Sequence, residues 1–177
     1  MPNIIPYSFV TQTLSESGDG STSASGAQSN IYDGNTGTYR LFEAHTGGDG
    51  VCNSYQTFEC NWTAGLTVTN VYAYTQQGTY GGNYKQSGRY YYTYLKINGS
   101  WTLIDSRSVF DSQGSNTWYY ETWESNQVGL WTNVTGARLY LHGYAYSYEG
   151  DRQQYSRLYM NEFNVNANLA AGNVQII

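Results

Sequence analysis

The sequence predicts an all-β protein built as an antiparallel β-sandwich. Apolar and polar residues alternate with a period of two in several segments, and aromatic and β-branched residues are concentrated in these segments. Glycine- and asparagine-rich turns separate them, and no segment of useful length has a helical period. Strands that follow one another at intervals of roughly eight to twenty residues are typical of an antiparallel sandwich rather than of a parallel sheet.

The first firmly patterned strand covers residues 66–74. Its alternation predicts that Leu66 and Val68 share one face of the strand, while Val71 and Ala73 share the other. Before it, residues 15–29 are rich in serine, glycine and alanine and have no apolar period, which predicts a long surface loop.

A hairpin is predicted in the middle of the chain. A glycine-punctuated loop at 78–84 precedes a tyrosine-rich strand at 89–97, and a further strand begins at 101–104. Between these two strands stands Asn98-Gly99, the dipeptide that a type I′ turn with two positive φ angles favours most. We therefore expect the two strands to pair directly.

Three more strands are predicted towards the C-terminus. They cover residues 117–123, 137–145 and 157–165, with loops at 126–136 and 149–154 between them.

Length and charge indicate one domain and exclude some partners. A chain of 177 residues fits a single domain, which we assign to residues 1–166, followed by an apolar tail at 167–177. The net charge is −5 and only 12% of residues are charged, so the basic surface that nucleic acid requires is not expected. The sequence contains no run of 18 apolar residues, so membrane insertion is not expected.

The N-terminal residues lack the basic and apolar regions of a signal peptide. A location outside the cell or on a virion surface would then involve a leaderless route or release by lysis.

The cysteines and the glycosylation motifs leave alternatives open. Cys52 and Cys60 have a spacing that suits either a disulfide closing a short loop, worth about 2.5 kcal/mol at most, or two buried free thiols. Three Asn-x-Ser/Thr motifs make Asn61, Asn98 and Asn133 candidate glycosylation sites.

The segment 33–38, Asp-Gly-Asn-Thr-Gly-Thr, permits two interpretations. Its oxygen-bearing side chains at positions one, three and six are the kind of ligand that calcium prefers. The same residues also form ordinary turns that bind nothing.

Catalysis finds little support in the sequence. With only His45 and His142, and no nucleophile or metal-hydrolase motif, the remaining enzymatic hypothesis is a small jelly-roll glycosidase. Its candidate acids are Glu121, Glu124 and Glu162. The alternative is that these three carboxylates simply face water. We expect a protein that is not an enzyme.

Sugar binding without catalysis requires aromatic rings and a few polar side chains, and two predicted loops combine them. Strand tyrosines, by contrast, are interpreted as packing. The predicted ligand residues are Tyr80, Asn83, Tyr84, Arg89, Tyr148 and Arg152.

Three segments resemble one known family. Residues 27–38, the strand at 66–74 and the closing segment at 158–165 are similar to the discoidin-like, galactose-binding-like β-sandwiches, which include coagulation-factor type C modules and many carbohydrate-binding modules. The resemblance implies an eight-stranded jelly roll over residues 7–165. It also implies a structural Ca²⁺ held by Asp33, Asn35, Thr38 and Glu162.

The predicted function is thus a non-catalytic module that binds glycans and is stabilised by calcium. An alternative hypothesis is a self-assembling structural subunit, of a virion surface or a filament, that packs through its apolar N- and C-terminal segments.

Overall fold

The fold consists almost entirely of antiparallel β-strands. A computed structural model describes residues 21–46, 50–81, 85–111, 117–147 and 154–168. The strands form one hydrogen-bonded sheet in the order β1-β2-β7-β3-β6-β4-β5, so the predicted all-β, antiparallel class is confirmed. They are β1 (Ser21–Ser25), β2 (Arg40–Thr46), β3 (Gly50–Gly81), β4 (Lys85–Ile97), β5 (Ser100–Asp111), β6 (Thr117–Ser147) and β7 (Gln154–Asn168), with a 3₁₀ helix at Gln28–Ile31.

Two long strands divide this sheet into two layers. β3 and β6 pair along their whole lengths, but the register shifts three times between Asn61 and Asn70, where β-bulges bend both strands. The first layer contains residues 66–81 of β3, residues 117–134 of β6, and strands β7, β2 and β1. The second layer contains the other halves of β3 and β6 together with β4 and β5.

The core lies between the two layers. Phe42 of β2 meets Phe58 of β3 with ring centroids 5.8 Å apart, and Tyr91 of β4 stacks on Trp123 of β6 at 5.2 Å. Each of these pairs joins the first layer to the second. The predicted sandwich is therefore confirmed, and it arises from a single sheet folded upon itself. The largest fully buried apolar side chains also include Ile31, Leu95, Leu139, Leu141, Leu158, Met160 and Phe163.

The bulges change which residues of β3 face the core. Leu66 and Val68 are buried, as expected, but Val71 and Ala73 are buried as well. Relative to β7, the register shift between Val68 and Asn70 inserts a residue into β3, so the inward face passes from even to odd positions. The prediction that these two pairs lie on opposite faces was wrong for this reason.

The predicted hairpin is confirmed. Ile97 of β4 pairs with Ser100 of β5, and the two residues between them have positive φ angles, 50° at Asn98 and 82° at Gly99. These are the conditions that a type I′ turn imposes.

Three predicted loops are partly strand. Residues 21–25 of the expected loop at 15–29 form β1, which pairs with β2. Residues 78–81 continue β3 because they pair with β6, and residues 78–80 also pair with β7. Residues 126–136 lie within β6. Pairing with distant partners supplies these backbone hydrogen bonds, and composition alone does not reveal it. Residues 15–20 and 82–84 lie outside the described part of the chain.

Of the two alternatives for Cys52 and Cys60, the disulfide is not formed. Cys60 is a buried free thiol, and Cys52 precedes it by eight residues within the same continuous strand. Eight residues of extended chain span about 26 Å, whereas the Cα atoms of a disulfide lie within about 7 Å. Burial raises the pKa of the Cys60 thiol to about 12, so it remains protonated and unreactive.

In the part of the chain that the structure describes, no helix has the length and apolarity that crossing a bilayer requires. β7 ends at Asn168, close to the start of the predicted tail.

Candidate functional site

The alternation of β4 places three tyrosines on the outside of the second layer. Tyr91 and Leu95 point into the core and are at most 1% exposed. Tyr90, Tyr92 and Tyr94 occupy the intervening positions, where they are half-buried. Because successive strand residues face opposite sides of a sheet, these three rings share the outer surface.

Neighbouring strands extend this surface. Tyr90 pairs with His142 of β6, and Tyr92 pairs with Tyr140 of the same strand. On the far side of β6, Tyr55 of β3 pairs with His142. The resulting aromatic face spans three strands and consists of Tyr55, Tyr90, Tyr92, Tyr94, Tyr140 and His142.

The rings of the aromatic face support one another. His142 stacks between Tyr55 and Tyr90, with centroid distances of 4.3 and 5.0 Å and an interplanar angle of 15° on each side. Tyr92 contacts Tyr140 at 5.8 Å and Tyr94 at 6.3 Å. Strands lie about 4.8 Å apart, so rings stacked at such distances stand upright on the sheet. Their mutual packing fixes them before any ligand arrives.

The aromatic face carries no net charge at neutral pH. Burial raises the pKa of Tyr140 to about 12, so its phenol stays protonated. Burial also lowers the pKa of His142 below its usual 6.5, which keeps the imidazole neutral. The surface therefore combines apolar rings with neutral hydroxyl and imidazole groups.

One end of the aromatic face is bounded by paired charges. Arg138 donates to Glu59 from Nε at 2.9 Å and from Nη2 at 2.6 Å, and the Asn61 amide donates to the same carboxylate at 3.0 Å. The Arg138 guanidinium also lies 4.0 Å from the Trp101 ring centroid. Although burial raises the pKa of Glu59, its hydrogen bonds to Asn61 and Arg138 lower it overall, so the carboxylate stays ionised and paired.

A second candidate site lies at the Asp33 turn. Asp33 Oδ1 accepts from the backbone N–H of Asn35 at 2.8 Å, and Asp33 Oδ2 lies 2.7 Å from the Thr38 hydroxyl. Asn35 Oδ1 accepts from the Gly37 N–H at 2.9 Å. These contacts gather the side-chain oxygens of Asp33, Asn35 and Thr38 into one exposed turn.

The closing strand meets this turn, as the family resemblance implies. The Asn161 amide donates to Thr36 O at 3.0 Å. Glu162 is only 2% exposed, and neither of its carboxylate oxygens makes a regular hydrogen bond to the described residues. Burial raises the pKa of Glu162, and the nearby charge of Asp33 adds to the rise, while Asn164 and the backbone N–H groups of Gly34 and Asn35 oppose it.

The chemistry of these groups fits a hard cation. A buried carboxylate without a regular partner is costly, and a bound cation would compensate it. Its neighbours are oxygen donors, which calcium prefers. Among the described residues no cluster combines three or more histidine, cysteine or acidic side chains, so amide, hydroxyl and backbone oxygens would complete the coordination.

The side chains of all six predicted sugar ligands lie outside the part of the chain that the structure describes. Asn83, Tyr84, Tyr148 and Arg152 lie outside the described residues, and so do the side chains of Tyr80 and Arg89, whose backbones belong to β3 and β4. They remain predictions.

The sequence analysis did not single out the aromatic face, because it interpreted most strand tyrosines as core and sheet-surface packing. Tyr91 does lie in the core, and Tyr90, Tyr92 and Tyr94 pack against neighbouring rings on the sheet surface. The signal was available, since a period of two separates Tyr91 from Tyr90 and Tyr92.

The three candidate acids of a glycosidase lie in different environments. Glu121 points inward, where it forms an ion pair with Arg107 and accepts from the Gln77 amide at 2.9 Å. Glu124 occupies the opposite face of β6 and lies 3.3 Å from the Tyr72 hydroxyl. Glu162 belongs to β7, where it lies opposite Tyr74 of β3, and Glu124 is the partner of Tyr74 on the other side. The glycosidase hypothesis therefore stays an untested alternative.

The candidate glycosylation sites differ in exposure. Asn98 and Asn133 are exposed and joined by a 2.6 Å hydrogen bond between their side chains. Asn61 is half-buried, with its amide bound to Glu59. Whether any of them carries a glycan stays a prediction.

Comparisons with known proteins reveal likeness only at the level of structure. No family model matches the sequence, and no curated protein matches it. A tailspike protein 4 enzymatically active domain from bacteriophage CBA120 matches over 89% of this chain at 17% identity and a TM-score of 0.38; this chain spans 19% of that domain.

Two matched carbohydrate-binding modules are similar in length to this chain. TmCBM61 in complex with beta-1,4-galactotriose matches over 86% of this chain and 88% of its own, at 12% identity and a TM-score of 0.36. A family 11 module from Clostridium thermocellum matches over 92% and 94%, at 10% identity and a TM-score of 0.30. A further match is named among carbohydrate-binding modules of the beta-sandwich superfamily, the class that the sequence resembles. At such TM-scores nothing about the ligands of these proteins transfers to this chain.

Proposed function

We propose that this protein is a non-catalytic carbohydrate-binding module whose ligand lies on the aromatic face. The observation that carries the proposal is the pre-packed, half-buried row of rings on the outside of the second layer. Sugar rings have apolar C–H faces that pack on aromatic side chains, while their hydroxyls need neutral hydrogen-bonding groups. The tyrosines of the aromatic face offer both.

The fixed arrangement of these rings favours binding. Ordering a mobile side chain at an interface costs about 0.5–1.5 kcal/mol. Rings that already support one another, as His142 does with Tyr55 and Tyr90, avoid most of that cost.

A glycan array followed by calorimetry tests the proposal. Tyr90→Ala and Tyr92→Ala should each weaken binding of an array hit by roughly tenfold or more. Tyr72→Ala is the matched control, because Tyr72 is also half-buried but belongs to the outer face of the first layer. The proposal fails if no glycan binds, or if all three variants bind equally well.

We further propose that Asp33, Asn35, Thr38 and Glu162 hold a structural Ca²⁺. The support is the buried Glu162 carboxylate, which lacks a regular partner and belongs to a strand that contacts the turn. A bound ion would join the 3₁₀-helix region to β7 and thereby stabilise the first layer.

Thermal melting tests the calcium site. Calcium at about a hundred times its Kd adds about 2.7 kcal/mol, or on the order of 5–10 °C in Tm for a chain of this size. Glu162→Gln should lose this response and, in a chelator, melt above the wild type because it removes a buried negative charge beside Asp33. Glu124→Gln, at an exposed carboxylate, should respond like the wild type. An unchanged wild-type Tm on chelation would exclude the site.

The alternative of a self-assembling subunit concerns segments that lie outside the described residues, namely 1–20 and 169–177. It stays a prediction, as does display on a virion or outside a cell. Sedimentation of the intact chain and of a chain lacking residues 169–177 would test it: a monomer in both cases would remove the hypothesis.

A further inference from the structure

Strand β5 leaves one side of the aromatic face uncovered. In the register between β4 and β5, Tyr90 lies opposite Ser108 and Tyr92 lies opposite Ser106. Both serines are exposed, and β5 is the last strand of the sheet. We call Ser106 and Ser108 the serine shelf.

The two sides of these tyrosine rings differ. Towards β6, the Tyr90 ring is covered by His142 at 5.0 Å and the Tyr92 ring contacts Tyr140 at 5.8 Å. Towards β5, a serine side chain is too short to cover an upright ring. The outer surfaces of Tyr90 and Tyr92 therefore form a wall above the floor of the serine shelf.

The wall is long enough for more than one sugar. Alternate residues of a strand lie about 6.8 Å apart. The wall therefore extends over about 14 Å from Tyr90 to Tyr94. Along β5 its floor continues from Ser108 past Ser106 towards Leu103, the partner of Tyr94. An elongated wall of this kind suits consecutive units of a chain rather than one terminal sugar.

Charge on the shelf is absent among the side chains that the structure describes. Asp105 and Arg107 alternate with the shelf serines and form contacts with Ser125 and Glu121 on the inner side. At the end of the face, Arg138 is paired with Glu59 and lies on the Trp101 ring, and Lys96, two residues after Tyr94 on the same face of β4, lies 5.7 Å from the centroid of that ring. Both cations lie beyond the shelf, whereas beside Tyr90 and Tyr92 a ligand meets the neutral hydroxyls of Ser106 and Ser108.

From this arrangement we infer that the ligand is an internal stretch of a linear, uncharged polysaccharide. It lies along the serine shelf, with its sugar faces against Tyr90 and Tyr92. This inference rests on the proposed carbohydrate-binding function and specifies its ligand class.

Calorimetry with oligosaccharides of increasing length tests the ligand class. The probes are gluco-, manno- and xylo-oligosaccharides of one to six units, with oligogalacturonates as the anionic comparison. For at least one neutral series, affinity should rise by roughly tenfold or more from the monosaccharide to the longer chains. Ser106→Trp, which fills the shelf, should remove this gain. Ser23→Trp is the matched control, because Ser23 is an exposed serine of β1, the edge strand of the other layer.

The outcomes separate this inference from the function on which it rests. Equal affinity for one unit and for six, or tighter binding of the oligogalacturonates, overturns the ligand class while binding itself persists. Retention of the length dependence in Ser106→Trp overturns the placement on the shelf. An absence of binding to every glycan overturns both proposals.

Discussion

His142 lies at the centre of the aromatic face, and its protonation state depends on its surroundings there. Its imidazole stacks between two phenol rings and is withdrawn from water on both sides. Desolvation disfavours the imidazolium, which is why the pKa falls below 6.5. The neutral ring then acts as an apolar spacer that holds Tyr55 and Tyr90 upright.

This environment predicts a pH dependence of stability. The folded state binds the His142 proton more weakly than the unfolded state, in which the pKa of histidine is 6.5. Above pH 6.5 His142 is neutral in both states, so it does not lower the free energy of unfolding. Stability is lost as the pH falls through 6.5 towards the folded pKa. His142→Phe keeps a ring in the stack without the titration, so its Tm should fall less than that of the wild type between about pH 7 and pH 5. Parallel curves from scanning calorimetry would contradict this.

Individual residues differed in how far the sequence revealed their roles. The family resemblance placed Glu162 beside the Asp33 turn, although more than a hundred residues separate them. Periodicity could have separated Tyr90 from Tyr91, but composition led to one interpretation for both. The pairing of His142 with Tyr55 and Tyr90 depends on registers between strands distant in sequence, which a local pattern does not encode.

At the scale of elements, the hairpin between β4 and β5 aligns the wall with the serine shelf. The turn fixes Ile97 opposite Ser100, and a bulge between Thr93 and Tyr94 adjusts the register further along. Local chemistry is sufficient for such a turn, which explains why the sequence predicted it correctly. The bends of β3 and β6 depend instead on bulges selected by long-range packing, so the sequence analysis divided β6 into two strands.

The turn yields a prediction at this scale. Gly99 has a φ of 82°, and a Cβ added there would meet nothing within 4 Å. Gly99→Ala should therefore reveal the backbone strain alone, about 1–2 kcal/mol, or roughly 2–8 °C in Tm. Ser100→Ala, at the exposed neighbouring position, serves as the control and should change Tm by less than about 2 °C. An equal effect of both variants on Tm would show that the turn does not need the left-handed conformation.

At the scale of the whole molecule, a chain of polar contacts joins the two layers. The Tyr91 hydroxyl donates to the side-chain oxygen Oε1 of Gln77, the Gln77 side-chain amide donates to Glu121 at 2.9 Å, and Glu121 forms an ion pair with Arg107. These four residues belong to β4, β3, β6 and β5. Because Gln77 is 1% exposed, its polar groups must be satisfied within the protein. This network connects the strands under the aromatic face to the opposite layer.

Tyr91→Phe tests how strongly this network holds the sandwich together. The variant keeps the ring on Trp123 but leaves the Gln77 side-chain oxygen Oε1 without its Tyr91 donor, which costs about 1–3 kcal/mol. For a chain of this size that lowers Tm by roughly 2–12 °C. Tyr72→Phe is the matched control, since its hydroxyl contacts Glu124 at 3.3 Å on an exposed outer face, and it should change Tm by less than about 2 °C.

A double-mutant cycle then distinguishes a specific contact from general loosening of the core. If the Tyr91 hydroxyl acts through Gln77, Tyr91→Phe should cost much less in a Gln77→Leu background, with a coupling of about 0.5–3 kcal/mol. Additive effects would instead mean that the hydroxyl acts through other neighbours. Because the same strands carry the wall of tyrosines, a loosened network should also raise the hydrogen-exchange rate of β4 amides relative to those of β7. That measurement connects the interior contact between layers to the rigidity of the proposed binding surface.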